Sequence, residues 1–214
     1  MFGTRILPSA APADADLLRA FSRSSTSIIS DNLHRLQGAV GLRPFHKSAG
    51  TMAGTALTVR VAAGDNLLIH KALDLVRPGD VVVVDGDGAL SRALIGEIMS
   101  TIALSRGAAG IVIDGAIRDA GVLAASSFPV FARAAVHRGP YKNGPGEINV
   151  PVSIGGMVVS PGDIVVGDED GLVAFPQDIA AELLVACHAQ EQKEKDILTS
   201  IRNGTYAGAY GKPV

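Results

Sequence analysis

The chain has 214 residues, of which 47% are hydrophobic, and it carries a formal net charge of −2. This length and content suffice for a substantial core, and we expect a single domain. The slightly acidic balance offers no surplus of positive charge to a phosphate backbone, so nucleic acid is not an expected partner. No stretch reaches the roughly 20 apolar residues of a membrane span, and we expect a cytoplasmic protein without membrane contact. Cys187 is the single cysteine, which excludes an internal disulfide.

The first half of the chain is predicted to begin with helices and to continue with alternating strands and helices. Side chains that can cap a helix precede the first helices. The first strand is rich in Thr and Val, and the second is apolar enough to be buried on both faces. The predicted helices are 14–23, 24–36 and 67–76, the last of them capped by the pair Asp65-Asn66. The predicted strands are 54–64 and 81–84. The predicted divisions are a flexible N-terminal arm at 1–13, one domain at 14–204 and a C-terminal tail at 205–214.

The second half is predicted to alternate helices with short buried strands. Leu94, Ile98 and Ile102 have helical spacing, and the segment 137–150 is too rich in Gly and Pro for the core. The predicted elements are a helix at 94–106, a strand at 111–113, a helix ending near 126, a strand at 129–132, three short strands after 151 and a helix at 177–203. The motif Pro-Gly-Asp before an apolar strand occurs at 78–80 and again at 161–163, which indicates two similar turn-to-strand units.

Familiar catalytic and metal-binding templates are absent from the sequence. The acidic segments 85–88 and 168–171 lack the later ligands of an EF-hand loop, so we interpret both as turns after strands. No P-loop, dinucleotide fingerprint, nucleophile elbow or metalloprotease histidine pair occurs. We interpret the five scattered histidines as surface or loop residues: His34, His46, His70, His137 and His188.

The segment from Gly96 to Asp119 combines a helix, a glycine reversal, a buried strand and an Arg-Asp pair. A helix of about 11 residues is ~16 Å long, and five strand residues also span ~16 Å. The strand therefore returns the chain to the level of the helix start, so Gly96 and Arg118 should lie at the same end of the sheet. The carboxyl ends of the strands are where open α/β sheets bind ligands.

The residues at this end suit a small anion and a metal ion. Backbone N–H groups at positions 96–99 would bind an anion at the helix start, and Arg118 would bind a carboxylate with two hydrogen bonds. Asp119 offers a hard oxygen ligand for Mg²⁺ or Mn²⁺. A 2-keto acid that chelates the metal suits this set, and the metal would stabilise an enolate. The alternative is that Arg118 and Asp119 form an ordinary surface ion pair that caps the next helix.

Three motifs resemble the family of 4-hydroxy-4-methyl-2-oxoglutarate aldolases and ribonuclease E activity regulator A-like proteins. They are SDNL at 30–33, VIDGAIRDAGVL around the Arg-Asp pair, and PVSIGGMVVSPGDIVVGDEDGLVAFP from Pro151. The resemblance covers residues 25–204 and implies an α/β fold of the swivelling β/β/α type, assembled as a homotrimer or a dimer of trimers. It also implies a class II, divalent-metal-dependent aldolase that forms pyruvate, with oxaloacetate decarboxylation as a side activity.

The resemblance also implies roles for individual residues. The implied catalytic residues are Arg118, Asp119 and Glu97, and the implied substrate-binding residues are Gly96, Glu97, Ile98, Met99 and Arg118. Asp119 would bind the metal directly, and a glutamate from the C-terminal helix of a neighbouring subunit would approach the metal-bound waters. Glu194 matches that glutamate best, with Glu191 as the alternative. Ala93 stands where the family often has glycine, a departure that changes little.

The regulator branch of the family provides the main rival function, a non-enzymatic protein that binds and inhibits a ribonuclease. That branch tends to lose the aspartate after the arginine, so the presence of Asp119 favours the enzyme. The walls that choose among 4-hydroxy-2-oxo acids are expected to come from the loop 137–150 and from the C-terminal tail.

Overall fold

The fold is built on a mixed β-sheet whose central strands are parallel. The computed structural model describes residues 4–35, 38–47 and 50–208. The strands are β1 (Thr4–Ile6), β2 (Arg43–Pro44), β3 (Met52–Val61), β4 (Asp80–Asp85), β5 (Ala93–Ile95), β6 (Gly110–Ile117), β7 (Val130–Ala135), β8 (Gly146–Ile148), β9 (Val152–Ile154), β10 (Met157–Val159), β11 (Ile164–Gly167) and β12 (Leu172–Phe175). The helices are α1 (Ala15–Phe21), α2 (Thr26–Asn32), α3 (Leu67–Leu73), α4 (Glu97–Ser105), α5 (Ala120–Ala125) and, after a 3-10 turn at Gln177–Ile179, α6 (Ala180–Arg202).

The topology brings several strand ends to one edge of the sheet. The strand order is β1-β8-β3-β4-β6-β7-β2, with β5 added beside β6, β11 beside β3 and β12 beside β11. The strands β3, β4, β6 and β7 are parallel, and α3, α4 and α5 lie in the connections between them. The carboxyl ends of these strands therefore meet at one edge, and the residues that follow them are neighbours.

Three hydrophobic cores pack against this sheet. Val82 and Val84 face a core shared with α3 and α4, whereas Val81 and Val83 face a core shared with the β9–β10 hairpin. This alternation follows from the period of two in a strand. A third core lies between the β11–β12 pair and the helices α1, α2 and α6. The layering confirms the predicted α/β fold of the swivelling β/β/α type with a C-terminal helix.

The two Pro-Gly-Asp motifs form the similar units that the sequence predicted. Gly79 and Gly162 both have left-handed φ angles, of 87° and 90°, which glycine adopts without steric cost. Asp80 and Asp163 each accept a hydrogen bond from the backbone N–H three residues earlier. The strands that follow, β4 and β11, pair with opposite sides of β3.

Several predicted boundaries were wrong. The predicted second helix ends at Asn32, because His34 and Arg35 adopt left-handed φ angles of 59° and 61° that a helix cannot continue through; Leu36 lies outside the described residues. The predicted helix 94–106 begins only at Glu97, since Ala93–Ile95 is the strand β5. A short apolar run does not distinguish a strand from a helix.

Two segments predicted to be irregular contribute strands to the sheet. Thr4–Ile6 of the predicted arm pairs with Gly146–Ile148 of the predicted loop 137–150, and the latter also pairs with β3. Four strands follow Pro151 instead of three, because each of the three predicted turns separates two strands. In the predicted tail, residues 205–208 form neither helix nor strand, and 209–214 lie outside the described residues. Among the described helices, none has the length and apolarity to cross a bilayer.

Candidate active site

The start of α4 and the end of β6 meet, as the length argument predicted. The carbonyl oxygen of Ile95 accepts a hydrogen bond from the N–H of Arg118 at 2.9 Å. The strand β5 is what fixes this contact, since it runs parallel to the end of β6 and delivers the chain directly into α4. Gly96, Arg118 and Asp119 are therefore adjacent at the carboxyl edge of the sheet.

The carboxylate of Asp119 is fixed at the start of α4. Its Oδ2 accepts a hydrogen bond from the N–H of Glu97 at 2.9 Å, and its backbone has a left-handed φ of 56°, which is uncommon for a residue other than glycine. Although Asp119 precedes α5, its side chain makes no capping hydrogen bond to that helix. The alternative is therefore wrong about the helix cap, although Arg118 and Asp119 do form an ion pair between partly exposed side chains.

Glycine at position 96 is required by the close approach of Asp119. A Cβ atom at this position would lie 2.9 Å from Cγ of Arg118 and closer still to Oδ2 of Asp119. Real Cβ atoms essentially never approach another heavy atom this closely. The backbone of Gly96 is extended, with a φ of −155°, so conformational freedom is not the reason for glycine here.

The N-terminus of α4 retains amide groups for a ligand. The first N–H groups of a helix have no intrahelical acceptor, and that of Glu97 is already bonded to Asp119. The amides of Ile98 and Met99 remain. Arg118 is 45% exposed at its side chain, and its Nε lies 3.8 Å from Oδ2 of Asp119, a distance too long for a hydrogen bond. The guanidinium is thus available to bind an anion.

A cleft of about 160 Å³ joins these groups to residues from two further elements. The start of α3 contributes Asn66 and His70, and the loop after β7 contributes Pro140 and Lys142. Two residues of the loop 137–150 thus line the cleft, and their part in choosing among substrates stays a prediction. The full lining is Asn66, His70, Ala93, Leu94, Ile95, Gly96, Ile98, Met99, Arg118, Asp119, Pro140 and Lys142.

Asn66 presents an unsatisfied acceptor. Its side chain is 3% exposed, and its Nδ2 donates to the carbonyl oxygen of Leu94 at 2.9 Å and to Sδ of Met99 at 3.4 Å. Its Oδ1 is buried without a hydrogen-bond partner. Leaving a buried acceptor unpaired costs about 1–3 kcal/mol, so a ligand donor in the cleft would recover that free energy. The predicted cap of α3 by the pair Asp65-Asn66 is confirmed for Asp65, which accepts from the N–H of Leu67, but the side chain of Asn66 makes no cap hydrogen bond.

His70 was predicted to be a surface or loop residue, but it is half-buried and lines the cleft. Burial lowers the pKa of its imidazole, and the positive charge of Lys142 lowers that pKa further. A lowered pKa favours the neutral ring at pH 7. His70 can therefore donate or accept a hydrogen bond in the cleft without adding charge.

The predicted glutamates lie outside this cleft. The backbone N–H of Glu97 contacts Asp119, and Glu97 lines a separate groove between α4 and α5. Glu191 accepts a hydrogen bond from Oγ of Ser24 at 2.8 Å, whereas Glu194 accepts one from its helical neighbour Gln190. Both glutamates therefore accept a hydrogen bond within this chain, Glu191 from the segment before α2 and Glu194 from its own helix, and their approach to a neighbouring site stays a prediction.

A divalent metal would depend on Asp119 within this chain. The described residues contain no group of three or more His, Cys, Asp or Glu side chains that could hold a metal ion. The N–H of Glu97 uses one acceptor position of the Asp119 carboxylate, and an ionised carboxylate has about four such positions, so positions remain for a cation. Mg²⁺ prefers oxygen ligands and commonly keeps several waters beside one or two carboxylates. The donor chemistry therefore fits Mg²⁺ or Mn²⁺.

Comparisons with known proteins identify the family of the chain. The model of the RraA-like family, described as Aldolase/RraA, matches residues 26–174. A relative from Halalkalibacterium halodurans, named putative 4-hydroxy-4-methyl-2-oxoglutarate aldolase, is 40% identical over 77% of this chain and 79% of its own. A Thermus thermophilus protein named 4-hydroxy-4-methyl-2-oxoglutarate aldolase is 39% identical over 58% of this chain and 76% of its own.

The fold of the chain also matches the solved structure of an RraA protein. The RNA-processing inhibitor RraA from Thermus thermophilus superposes with a TM-score of 0.65 and 35% identity, over 72% of this chain and 93% of the other. The family match includes the start of α4 together with Arg118 and Asp119. The chain therefore belongs to the RraA-like family, Aldolase/RraA.

Proposed function

We propose that this protein is a class II, divalent-metal-dependent carbon-carbon lyase. Its substrate would be 4-hydroxy-4-methyl-2-oxoglutarate or a related 4-hydroxy-2-oxo acid, its product pyruvate, and its side activity oxaloacetate decarboxylation. The observation that carries the proposal is the carboxylate of Asp119, which is held by the N–H of Glu97 beside Arg118 and is not used as a cap for α5. Relatives that are named as 4-hydroxy-4-methyl-2-oxoglutarate aldolases support the same chemistry.

The carboxylate of the pyruvyl group would bind between Arg118 and the start of α4. The guanidinium offers a planar pair of donors, and the amides of Ile98 and Met99 point out of the helix N-terminus, where the helix dipole favours negative charge. Together they fix the 2-oxo acid at one end of the cleft and orient its keto group towards Asp119.

Asp119 and Asn66 would hold the reacting end of the substrate. A Mg²⁺ or Mn²⁺ ion bound to Asp119 supplies a Lewis acid that polarises the keto group. The hydrogen bond from Glu97 fixes Oδ2 of Asp119 at 2.9 Å, so the carboxylate keeps one orientation. The unpaired Oδ1 of Asn66 suits a hydroxyl donor, such as the 4-hydroxyl group of the substrate. Glu97 remains a predicted catalytic residue, and it also lines the adjacent groove.

A neighbouring subunit would complete the site, in a homotrimer or a dimer of trimers. The buried residues of α6 all lie between Ala180 and Cys187, whereas Leu198 and Ile201 in its second half are each 50% exposed. Apolar side chains exposed along one helix favour burial against another protein surface. We propose that this half of α6 extends to the cleft of a neighbour, where Glu194 would bind metal-coordinated water.

Pyruvate formation tests the lyase function. Purified protein is assayed with 4-hydroxy-4-methyl-2-oxoglutarate and with oxaloacetate, after EDTA treatment and after addition of Mg²⁺ or Mn²⁺. Turnover should require the metal and should be lost in Asp119→Asn, whose amide oxygen can still accept from Glu97 and preserve the fold. Turnover without metal, or full activity in Asp119→Asn with a wild-type melting temperature, would contradict the proposal.

The rival function is a non-enzymatic regulator that binds and inhibits a ribonuclease. It is favoured by the likeness to the RNA-processing inhibitor RraA. Binding is measured by surface plasmon resonance against immobilised ribonuclease E, and inhibition by cleavage of a labelled RNA. Submicromolar binding with inhibition, in a protein that forms no pyruvate with any divalent metal, would establish the regulator.

A further inference from the structure

We propose that Arg92 is a positioning residue, which fixes the guanidinium of Arg118 through the loop between β7 and β8. The inference rests on the proposed function for the anion that Arg118 binds, the carboxylate of a 2-oxo acid. Arg92 precedes β5 and does not line the cleft itself. It would therefore act on the reaction through other groups, without contacting the substrate.

The guanidinium of Arg92 holds two positions of this loop. Its Nη1 donates to the carbonyl oxygen of Gly139 at 2.7 Å, and its Nη2 donates to the hydroxyl of Tyr141 at 2.7 Å. The guanidinium carbon also lies 3.9 Å from the centre of the Tyr141 ring, a cation–π geometry. Pro140, which lines the cleft, lies between these two positions and is therefore held on both sides.

The aliphatic stem and the neighbouring backbone connect Arg92 to the other walls of the cleft. A Cβ atom at Gly64 would lie 3.0 Å from Cδ of Arg92, so the stem packs against the chain just before α3. The carbonyl oxygen of Gly64 also accepts from the N–H of Tyr141 at 2.8 Å. On the side of β5, the N–H of Ala93 donates to the carbonyl oxygen of Arg138 at 2.8 Å. Arg92 thus lies where the start of α3, the strand β5 and the loop meet.

Gly139 connects Arg92 to Arg118. A Cβ atom at Gly139 would lie 3.4 Å from Nη1 of Arg118, an ordinary van der Waals distance, so the backbone of Gly139 borders that guanidinium. The ion pair between Arg118 and Asp119, at 3.8 Å, is too long for a hydrogen bond and fixes the guanidinium only loosely. The backbone of Gly139, held in turn by Arg92, therefore limits the orientations that are open to Arg118.

The proposed role has a kinetic signature that a purely structural role lacks. Arg118 would bind the carboxylate in the ground state and in the transition state alike, so loosening it should raise the KM and change kcat little. A residue that only stabilised the fold would change the amount of active protein, and hence the apparent kcat, without changing the KM. The substitution Arg92→Met should therefore act mainly on the KM for the 2-oxo acid.

A double-mutant cycle tests whether Arg92 acts through Arg118. Isothermal titration calorimetry with Mg²⁺ gives the dissociation constant of pyruvate for the wild type, Arg92→Met, Arg118→Lys and the double variant. Arg92→Met should weaken pyruvate binding about 10-fold, and the double variant should bind no more weakly than Arg118→Lys alone, since the effects of coupled residues do not add. Arg92→Lys keeps the charge and a donor, so its loss of affinity should be smaller.

Amide hydrogen exchange, followed by mass spectrometry, tests the loop without any ligand. In Arg92→Met the peptide that contains Tyr141 should exchange faster, because its hydrogen bond to Gly64 opens more often. The matched control is Arg43→Met, which removes the same charge and another cation–π contact, 4.8 Å from the centre of the Phe45 ring, at a residue that does not line the cleft. This control should keep wild-type exchange and wild-type pyruvate affinity.

The outcomes separate this inference from the lyase proposal. Unchanged exchange in Arg92→Met, additive losses of affinity in the double variant, or a lower melting temperature with unchanged affinity would overturn the positioning role and leave the lyase intact. A protein that binds pyruvate as predicted but cleaves no substrate would refute the lyase alone. A wild type that binds no pyruvate with Mg²⁺ and forms none would refute both.

Discussion

The substitution Gly96→Ala probes whether the two halves of the candidate site act as one unit. The added methyl group would lie 2.9 Å from Cγ of Arg118 and in direct collision with Oδ2 of Asp119. Either the carboxylate or the start of α4 must move, and the hydrogen bond from Glu97 to Asp119 would be lost. A hydrogen bond to a charged group contributes about 1.5–3 kcal/mol, so the free energy of unfolding should fall by roughly this amount.

The effect on activity should exceed the effect on stability. A displacement of about 1 Å in a catalytic group can reduce the rate on the order of 100-fold, and Gly96→Ala shifts both Arg118 and Asp119. Urea denaturation gives the change in stability, and pyruvate release gives the change in kcat/KM. The matched control is Gly121→Ala in α5, where an added Cβ has no neighbour within 4 Å. A Gly96→Ala protein with wild-type stability and turnover would refute the role assigned to this close approach.

Three further predictions concern single side chains. Arg118→Lys keeps the charge but loses the planar donor pair, so kcat/KM for pyruvate formation should fall about 10-fold or more; unchanged kinetics would contradict the binding role. Glu194→Gln should lower turnover with little change in melting temperature, whereas Glu191→Gln should lower the melting temperature by weakening its bond to Ser24; the reverse pattern would exchange the two assignments. Burial raises the pKa of the Cys187 thiol to about 11, so the stabilisation from keeping it protonated should be present below about pH 9 and lost as the pH rises through 11. At pH 8 the native thiol should react with 5,5′-dithiobis(2-nitrobenzoic acid) far more slowly than the unfolded thiol, and equal rates would show that it is not buried.

The sequence was sufficient for the fold class and for the contact at the centre of the site. The apolar runs Val81–Val84 and Ile111–Ile113 are strands buried on both faces, because no polar residue interrupts them. Matching the length of a helix to that of a strand placed Gly96 and Arg118 at the same end of the sheet. The helix begins three residues later than predicted, and β5, which precedes it, brings the chain to the end of β6.

The remaining walls of the cleft depend on contacts between residues distant in sequence. The segment 137–150 is poor in apolar periodicity, and its order comes from Asp65 and Arg92, which lie more than 45 positions earlier. Lys142 and His70 therefore gave no local signal of a shared site. Asn66 resembled a helix cap because it precedes α3, and only its unpaired Oδ1 distinguishes it from one. The one available clue was the pair Asp65-Asn66, which precedes a helix at the border of a predicted site.

The central claim is that Arg118, Asp119 and the start of α4 form a metal-dependent site for a pyruvyl group. Exchange of the methyl protons of pyruvate with deuterium, followed by proton NMR in D₂O, measures this directly, because it needs no knowledge of the complete substrate. We predict that the protein catalyses the exchange with Mg²⁺ or Mn²⁺, that EDTA abolishes it and that Asp119→Asn lacks it. Absence of exchange by the wild type at saturating metal, or exchange that persists in EDTA, would contradict the account.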